Sequence, residues 1–113
     1  MLETIKSSAD ISYIFAHGTR YDTPFVTMLV LRDQTHGHTG RVAFIAGKKN
    51  GNAVWRNAAK RRLRAVCHNL GGPWPGFEVV FLAKRKTNSV SYSKVLLACE
   101  RSLNDILQEC DTE

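Results

Sequence analysis

From Asn52 to Leu70 the chain contains neither Gly nor Pro, and its side chains sort into two different faces. At about 100° per residue, Trp55, Ala59, Leu63, Val66 and Leu70 form one apolar stripe. Arg56, Lys60 and Arg64 climb an adjacent face with Asn57, Arg61 and His68 beside them, and only Arg62 falls on the opposite flank. The pattern predicts a long amphipathic helix, ended by Gly71-Gly72-Pro73. Its stripe must be covered by another layer, and its cationic side must stay open to something else.

The flanking segments supply that layer. Ser7-Ser8-Ala9-Asp10 offers a capping-box-like start, Ile11, Ile14 and Phe15 fall at i, i+3 and i+4, and Gly18 supplies a stop, so a short helix is expected over about 8–17. Residues 25–31 and 41–46 are β-branched, apolar and short, and read as two strands joined by a polar loop from Arg32 to Gly40. Residues 77–83 read as a third strand, followed by the basic loop Lys84-Arg85-Lys86. A last helix starts near Ser91, with the stripe Tyr92, Leu96, Cys99, Leu103 and Ile106. The order helix, strands, helix, strand, helix, with three stripes that need a sheet, predicts a single α+β domain over residues 1–113 built as a two-layer sandwich. Pattern alone does not decide whether the strands flanking the basic helix are parallel.

At 113 residues and 43% apolar content, the chain can fold without a metal or disulfide staple. Cys67, Cys99 and Cys110 make an odd set with no C-x-x-C pair, which predicts reduced, buried thiols. His36-Gly37-His38 has no carboxylate or cysteine beside it, so no metal site is expected there. The N-terminal residues have no apolar core of a signal sequence and no run reaches the length of a membrane span, which predicts a cytoplasmic protein.

The net charge of +6 is less informative than its placement. No acidic residue occurs between Asp33 and Glu78, whereas Lys48, Lys49, Arg56, Lys60, Arg61, Arg62 and Arg64 crowd into 48–64. The rest of the chain holds nine cations against ten carboxylates, so the excess charge belongs to this one segment. A basic helical face is ordinarily solvated surface. Here, however, Arg56, Lys60 and Arg64 repel in series at a cost of about 0.2–0.5 kcal/mol per pair, where a helix built for stability would interpose Glu. One helical turn, about 5.4 Å, approximates the separation of successive phosphates, so a nucleic acid would neutralise the row through counterion release. Lys48 and Lys49 extend it to the helix N-terminus, and Asn52 and Asn57 add neutral hydrogen-bonding groups, Asn52 also suiting a helix cap. Gly47-Lys48-Lys49-Asn50-Gly51 lacks the spacing of a nucleotide-binding loop. No carboxylate pair or Ser/His/Asp arrangement points to catalysis by side chains.

The run from Gly47 to Arg64, Gly-Lys-Lys-Asn-Gly-Asn-Ala-Val-Trp-Arg-Asn-Ala-Ala-Lys-Arg-Arg-Leu-Arg, closely resembles the signature of the bacterial ribonuclease P protein component, K-K-x-G-N-A-V-x-R-N-x-x-K-R-x-x-R, at every fixed position. The elements around it fall in the family's order, so the likeness spans nearly the whole chain. It implies a ribosomal-protein-like fold with a left-handed strand, helix, strand crossover. It also implies a small basic subunit that binds a large catalytic RNA and the 5′ leader of precursor tRNA and assists endonucleolytic removal of that leader. The RNA, with Mg2+, would perform the hydrolysis; no catalytic side chain, no cofactor or metal bound by the protein, and no obligate protein partner are expected.

Carried over by position, Lys48, Lys49, Asn52, Arg56, Asn57 and Arg61 would face RNA, with Lys60 and Arg64 reaching the leader. A leader cleft would involve Ile11, Phe15 and Met28. The family's basic stretch before the first helix is reduced here to Lys6 beside Glu3, and two commonly aromatic cleft positions are Ile11 and Met28, with Phe15 retained. Phe15 also fits an ordinary core stripe. A ribosomal or RNA-chaperone protein could use the same basic face but gives no reason for the full signature. A DNA binder would read bases with Arg56, Asn57 and Lys60, but lacks a helix-turn-helix pattern.

Overall fold

The computed structural model describes residues 5, 8–32 and 40–111, so His36-Gly37-His38 and the Glu3 and Lys6 positions lie outside it. In chain order it contains α1 (Ser8–His17), β1 (Thr19–Asp22), β2 (Val26–Arg32), β3 (Arg41–Ile45), α2 (Ala53–Asn69), β4 (Phe77–Ala83) and α3 (Tyr92–Asp111). Single 3-10 turns cover Lys48–Asn50 and Arg85–Thr87.

The four strands form one sheet in the order β1-β2-β4-β3. β2 is antiparallel to both β1 and β4, whereas β3 runs parallel to β4. The question left open by the pattern is thereby answered: β3, α2 and β4 make a parallel crossover between adjacent strands. β1 is the element the sequence conceals. Thr-Arg-Tyr-Asp has no apolar alternation and buries little, and it is a strand because its backbone pairs with β2 from Thr19↔Val30 to Asp22↔Thr27.

Side chains alternate across the sheet, and both faces are used. Val26, Met28 and Val30 of β2, Val42 and Phe44 of β3, and Val79, Phe81 and Ala83 of β4 pack on one face against Ala59, Leu63, Val66 and Cys67 of α2 and Val95, Cys99 and Ile106 of α3. This is the expected sandwich. Burying each large apolar side chain here contributes about 1.5–3 kcal/mol. On the opposite face Leu29, Ala43 and Val80 pack against Ile14 of α1 and Ile5, so α1 adds a partial third layer. Gly18 permits that docking: a Cβ there would meet the Ile14 carbonyl oxygen at 2.6 Å and that of Val30 at 3.1 Å.

Candidate nucleic-acid interface

The basic segment begins where β3 ends. Lys48 and Lys49 are exposed on a 3-10 turn, and Asn50 Nδ2 anchors the turn by donating to the Ala83 carbonyl at 3.3 Å. Gly51 follows because a Cβ there would lie 2.7–2.8 Å from the Trp55 side chain. Asn52 caps α2, its Oδ1 accepting from Trp55 N–H at 2.9 Å, which saturates one of the orphan donors of the first turn. Asn57, Arg61 and Arg64 are exposed, and Arg56 and Lys60 are half-buried. The Arg56 Nε is sealed from solvent without an acceptor.

Two contacts set the rotation of this face. Arg62, the one cation expected on the other flank, donates from Nη1 to the carbonyls of Val90 at 2.6 Å and Thr87 at 3.2 Å, binding α2 to the loop ahead of α3. On the far side, Arg64 lies over the Phe44 ring, 5.6 Å from its centroid. Among the described residues, ion pairs join Arg41 to Asp10 and Glu78, and Lys84 to Asp22, and none takes up a cation of residues 48–64. The row of cations therefore has no carboxylate partner among the described residues.

A second surface lies on the opposite side of the sheet. Register and alternation place three rows across that face: Leu31, Glu78 and Arg41; then Arg20, Leu29, Val80 and Ala43; then Asp22, Thr27, Leu82 and Ile45. Ile14 covers the middle row, and Asp10 on one flank of α1 reaches Arg41 in the first row at 3.3 Å. At about 100° per residue, Ile11 and Phe15 project from the other flank, toward the third row. Ile11, Ile45 and Leu82 are half-buried and Phe15 is 46% exposed, so that flank of α1 and that row together offer an apolar strip, the candidate groove.

The third row ends at Asp22. Its Oδ1 accepts from Lys84 Nζ at 2.6 Å and from Thr27 Oγ1 at 2.6 Å, while Lys84 also donates to the Thr23 carbonyl at 2.8 Å. The bond from Lys84, followed by that from Thr27, holds the Asp22 carboxyl below the usual carboxylate range.

Met28 was expected beside Ile11 and Phe15, and its placement is a correction. It is 0% exposed within the core beneath α2 and α3, on the other side of the sheet. One residue along a strand reverses the face, so the β2 residues that face α1 are Thr27, Leu29 and Leu31. Ile45, Leu82, Asp22 and Lys84 were not singled out as groove residues in the sequence, because their common row exists only after strand pairing.

Cys67 and Cys99 are free and fully buried, and burial pushes their thiols up to about 11 and about 12. They are core residues whose burial favours the protonated thiol; the Cys110 side chain lies outside what is described. Among the described residues no cluster of three or more His, Cys, Asp or Glu could hold a metal, and no helix is long and apolar enough to cross a membrane.

Fold and surface together define a class: a small α+β domain whose uncompensated basic helix suits a polyanion such as RNA. Residues 2–107 match the Ribonuclease P family model. The ribonuclease P protein component of Natranaerobius thermophilus is 33% identical over 100 residues, spanning 87% of this chain and 81% of that protein. That of Streptococcus mutans is 38% identical over 91 residues, 79% and 73% of the two chains. The fold is shared with the Staphylococcus aureus RNase P protein (TM-score 0.79, 20% identity, 94% and 96% coverage) and with that of Thermotoga maritima (TM-score 0.75, 23% identity, 89% and 94%). The chain belongs to the ribonuclease P protein component family, whose members are subunits of a tRNA-processing ribonucleoprotein enzyme. Its partner is accordingly an RNA, and membership favours this role over the ribosomal, chaperone and DNA-binding alternatives.

Proposed function

We propose that this subunit binds its catalytic RNA through Lys48, Lys49, Asn52, Arg56, Asn57, Lys60, Arg61 and Arg64, and holds the 5′ leader of precursor tRNA in the groove between α1 and the sheet. The observation that carries the first assignment is the row of α2 cations with no carboxylate partner among the described residues. Each cation that meets a phosphate releases counterions, so binding is driven by charge and weakened by salt.

For the leader, Phe15 offers a ring on which an unpaired base can stack, with Ile11, Ile45 and Leu82 as an apolar floor. The Lys48–Asn50 turn follows Ile45 and precedes α2, so the two surfaces adjoin at one end of β3. Hydrolysis belongs to the RNA with its Mg2+, in the cytoplasm, and the chain's share is to neutralise phosphates and position the leader. Reconstitution tests the reading. Adding the protein to its cognate catalytic RNA lowers the Mg2+ concentration needed to cleave leader-bearing precursor tRNA. An unchanged Mg2+ requirement at saturating protein refutes it.

A further inference from the structure

The third row of the groove face carries two apolar residues, Leu82 and Ile45, and at its β1 end an ion pair. Lys84 follows β4 directly and reaches that end through its bonds to Asp22 and Thr23, while Arg20 acts on the same carboxylate only through space. Its ammonium is not free to act as the α2 cations do. One of its three donors goes to Asp22 Oδ1 at 2.6 Å and a second to the Thr23 carbonyl at 2.8 Å. Asp22 is held in turn by Thr27, whose hydroxyl donates to the same carboxylate at 2.6 Å. Thr27 is 1% exposed, so the carboxylate is fixed from beneath by a side chain that cannot swing away.

This anchoring differs from a casual surface pair. Asp22 and Lys84 remain 53% and 33% exposed, close enough to solvent for an arriving phosphate to compete. Like charge then decides the outcome. A phosphate approaching Lys84 must also approach the Asp22 carboxylate, and the pair presents no net charge to draw it in.

We infer that Asp22 is a specificity-determining residue that masks Lys84 and so limits how far along the groove the leader's phosphates are gripped. The inference rests on the reading of the groove as the leader site. Affinity for a leader-bearing precursor then comes from Phe15 and the α2 end, and leader phosphates beyond Leu82 add little. Removing the carboxylate charge frees one cation for one phosphate.

The test uses holoenzyme assembled with the cognate catalytic RNA, and compares precursor tRNA with mature tRNA across monovalent salt concentrations. Asp22→Asn keeps an acceptor for Thr27 and removes the charge. It is expected to steepen the log-log salt dependence for precursor by about 0.7, the single-strand value for one phosphate, which corresponds to about fivefold tighter binding at 0.1 M salt. Mature tRNA binding stays unchanged, and in Asp22→Asn/Lys84→Ala the gain disappears. The inference is overturned if Asp22→Asn binds precursor no more tightly while the parent still discriminates precursor from mature tRNA. It is equally overturned if the gain survives in the double variant or extends to mature tRNA. If the parent holoenzyme itself does not discriminate, the leader reading fails first and the mask falls with it.

Discussion

The guanidinium carbon of Arg64 lies 5.6 Å from the centroid of the Phe44 ring, so a cation of the basic helix rests on an aromatic residue of the edge strand β3. The ring is 8% exposed and belongs to the core, and it stacks on Phe81 at 5.4 Å. Core packing thus reaches to the basic face of α2. A long side chain that would otherwise sample many rotamers is given a platform before RNA arrives, which lowers the entropy lost on binding.

Arg64→Ala and Arg56→Ala are each expected to weaken binding to the catalytic RNA and to reduce the log-log salt slope by about 0.7–0.9. Filter binding at several salt concentrations measures both quantities. An unchanged slope removes the substituted side chain from phosphate contact.

Phe15→Ala is expected to reduce affinity for precursor tRNA and leave mature tRNA unaffected, because the ring is 46% exposed on the groove flank of α1. Loss of one base stack costs about 1–3 kcal/mol. Equal losses for the two tRNAs would make Phe15 part of the α1 packing surface instead.

Met28→Ala tests the corrected placement. As a fully buried side chain under α2 and α3, it should lower stability by about 2–5 kcal/mol in denaturant unfolding. Discrimination between precursor and mature tRNA by the folded variant should persist.

Arg62→Ala removes both hydrogen bonds to the Thr87 and Val90 carbonyls. It should destabilise the fold by about 1–3 kcal/mol, the range for leaving part-buried acceptors without a charged donor. The salt slope of RNA binding should match that of the parent, which distinguishes this arginine from its neighbours Arg61 and Arg64.

Burial raises the Cys67 and Cys99 thiols from an ordinary value of 9.0 to about 11 and about 12. The folded chain keeps protons that the unfolded chain gives up, so their contribution to stability is complete below the unfolded pKa and is lost as pH climbs from about 9 toward 12. Denaturant midpoints measured across that window should fall less steeply in Cys99→Ala than in the parent. In native protein at pH 8, both thiols should resist alkylation.

The elements whose residues repeat with a clear period were legible. The stripe of Trp55, Ala59, Leu63 and Val66 specifies α2, and β4 occupies the expected residues 77–83. α1 spans the expected 8–17. The shared face of the α2 cations was legible too, because a helix converts spacing directly into a common side, and Arg62 fell on the expected opposite flank. β1 was not legible: Thr19 to Asp22 carry no pattern, and a strand of this kind is defined by the partner that accepts its backbone bonds.

Sequence by itself determined the basic helix, the apolar stripes and the family, since each depends on residues near one another along the chain. Only the tertiary structure decided the composition of the groove. Asp22, Thr27, Leu82 and Ile45 belong to four strands, and the hydrogen-bond register that sets them in one row assigns Met28 to the opposite side. A one-residue step inverts a strand's faces, and that choice is made by long-range pairing, which local pattern does not encode.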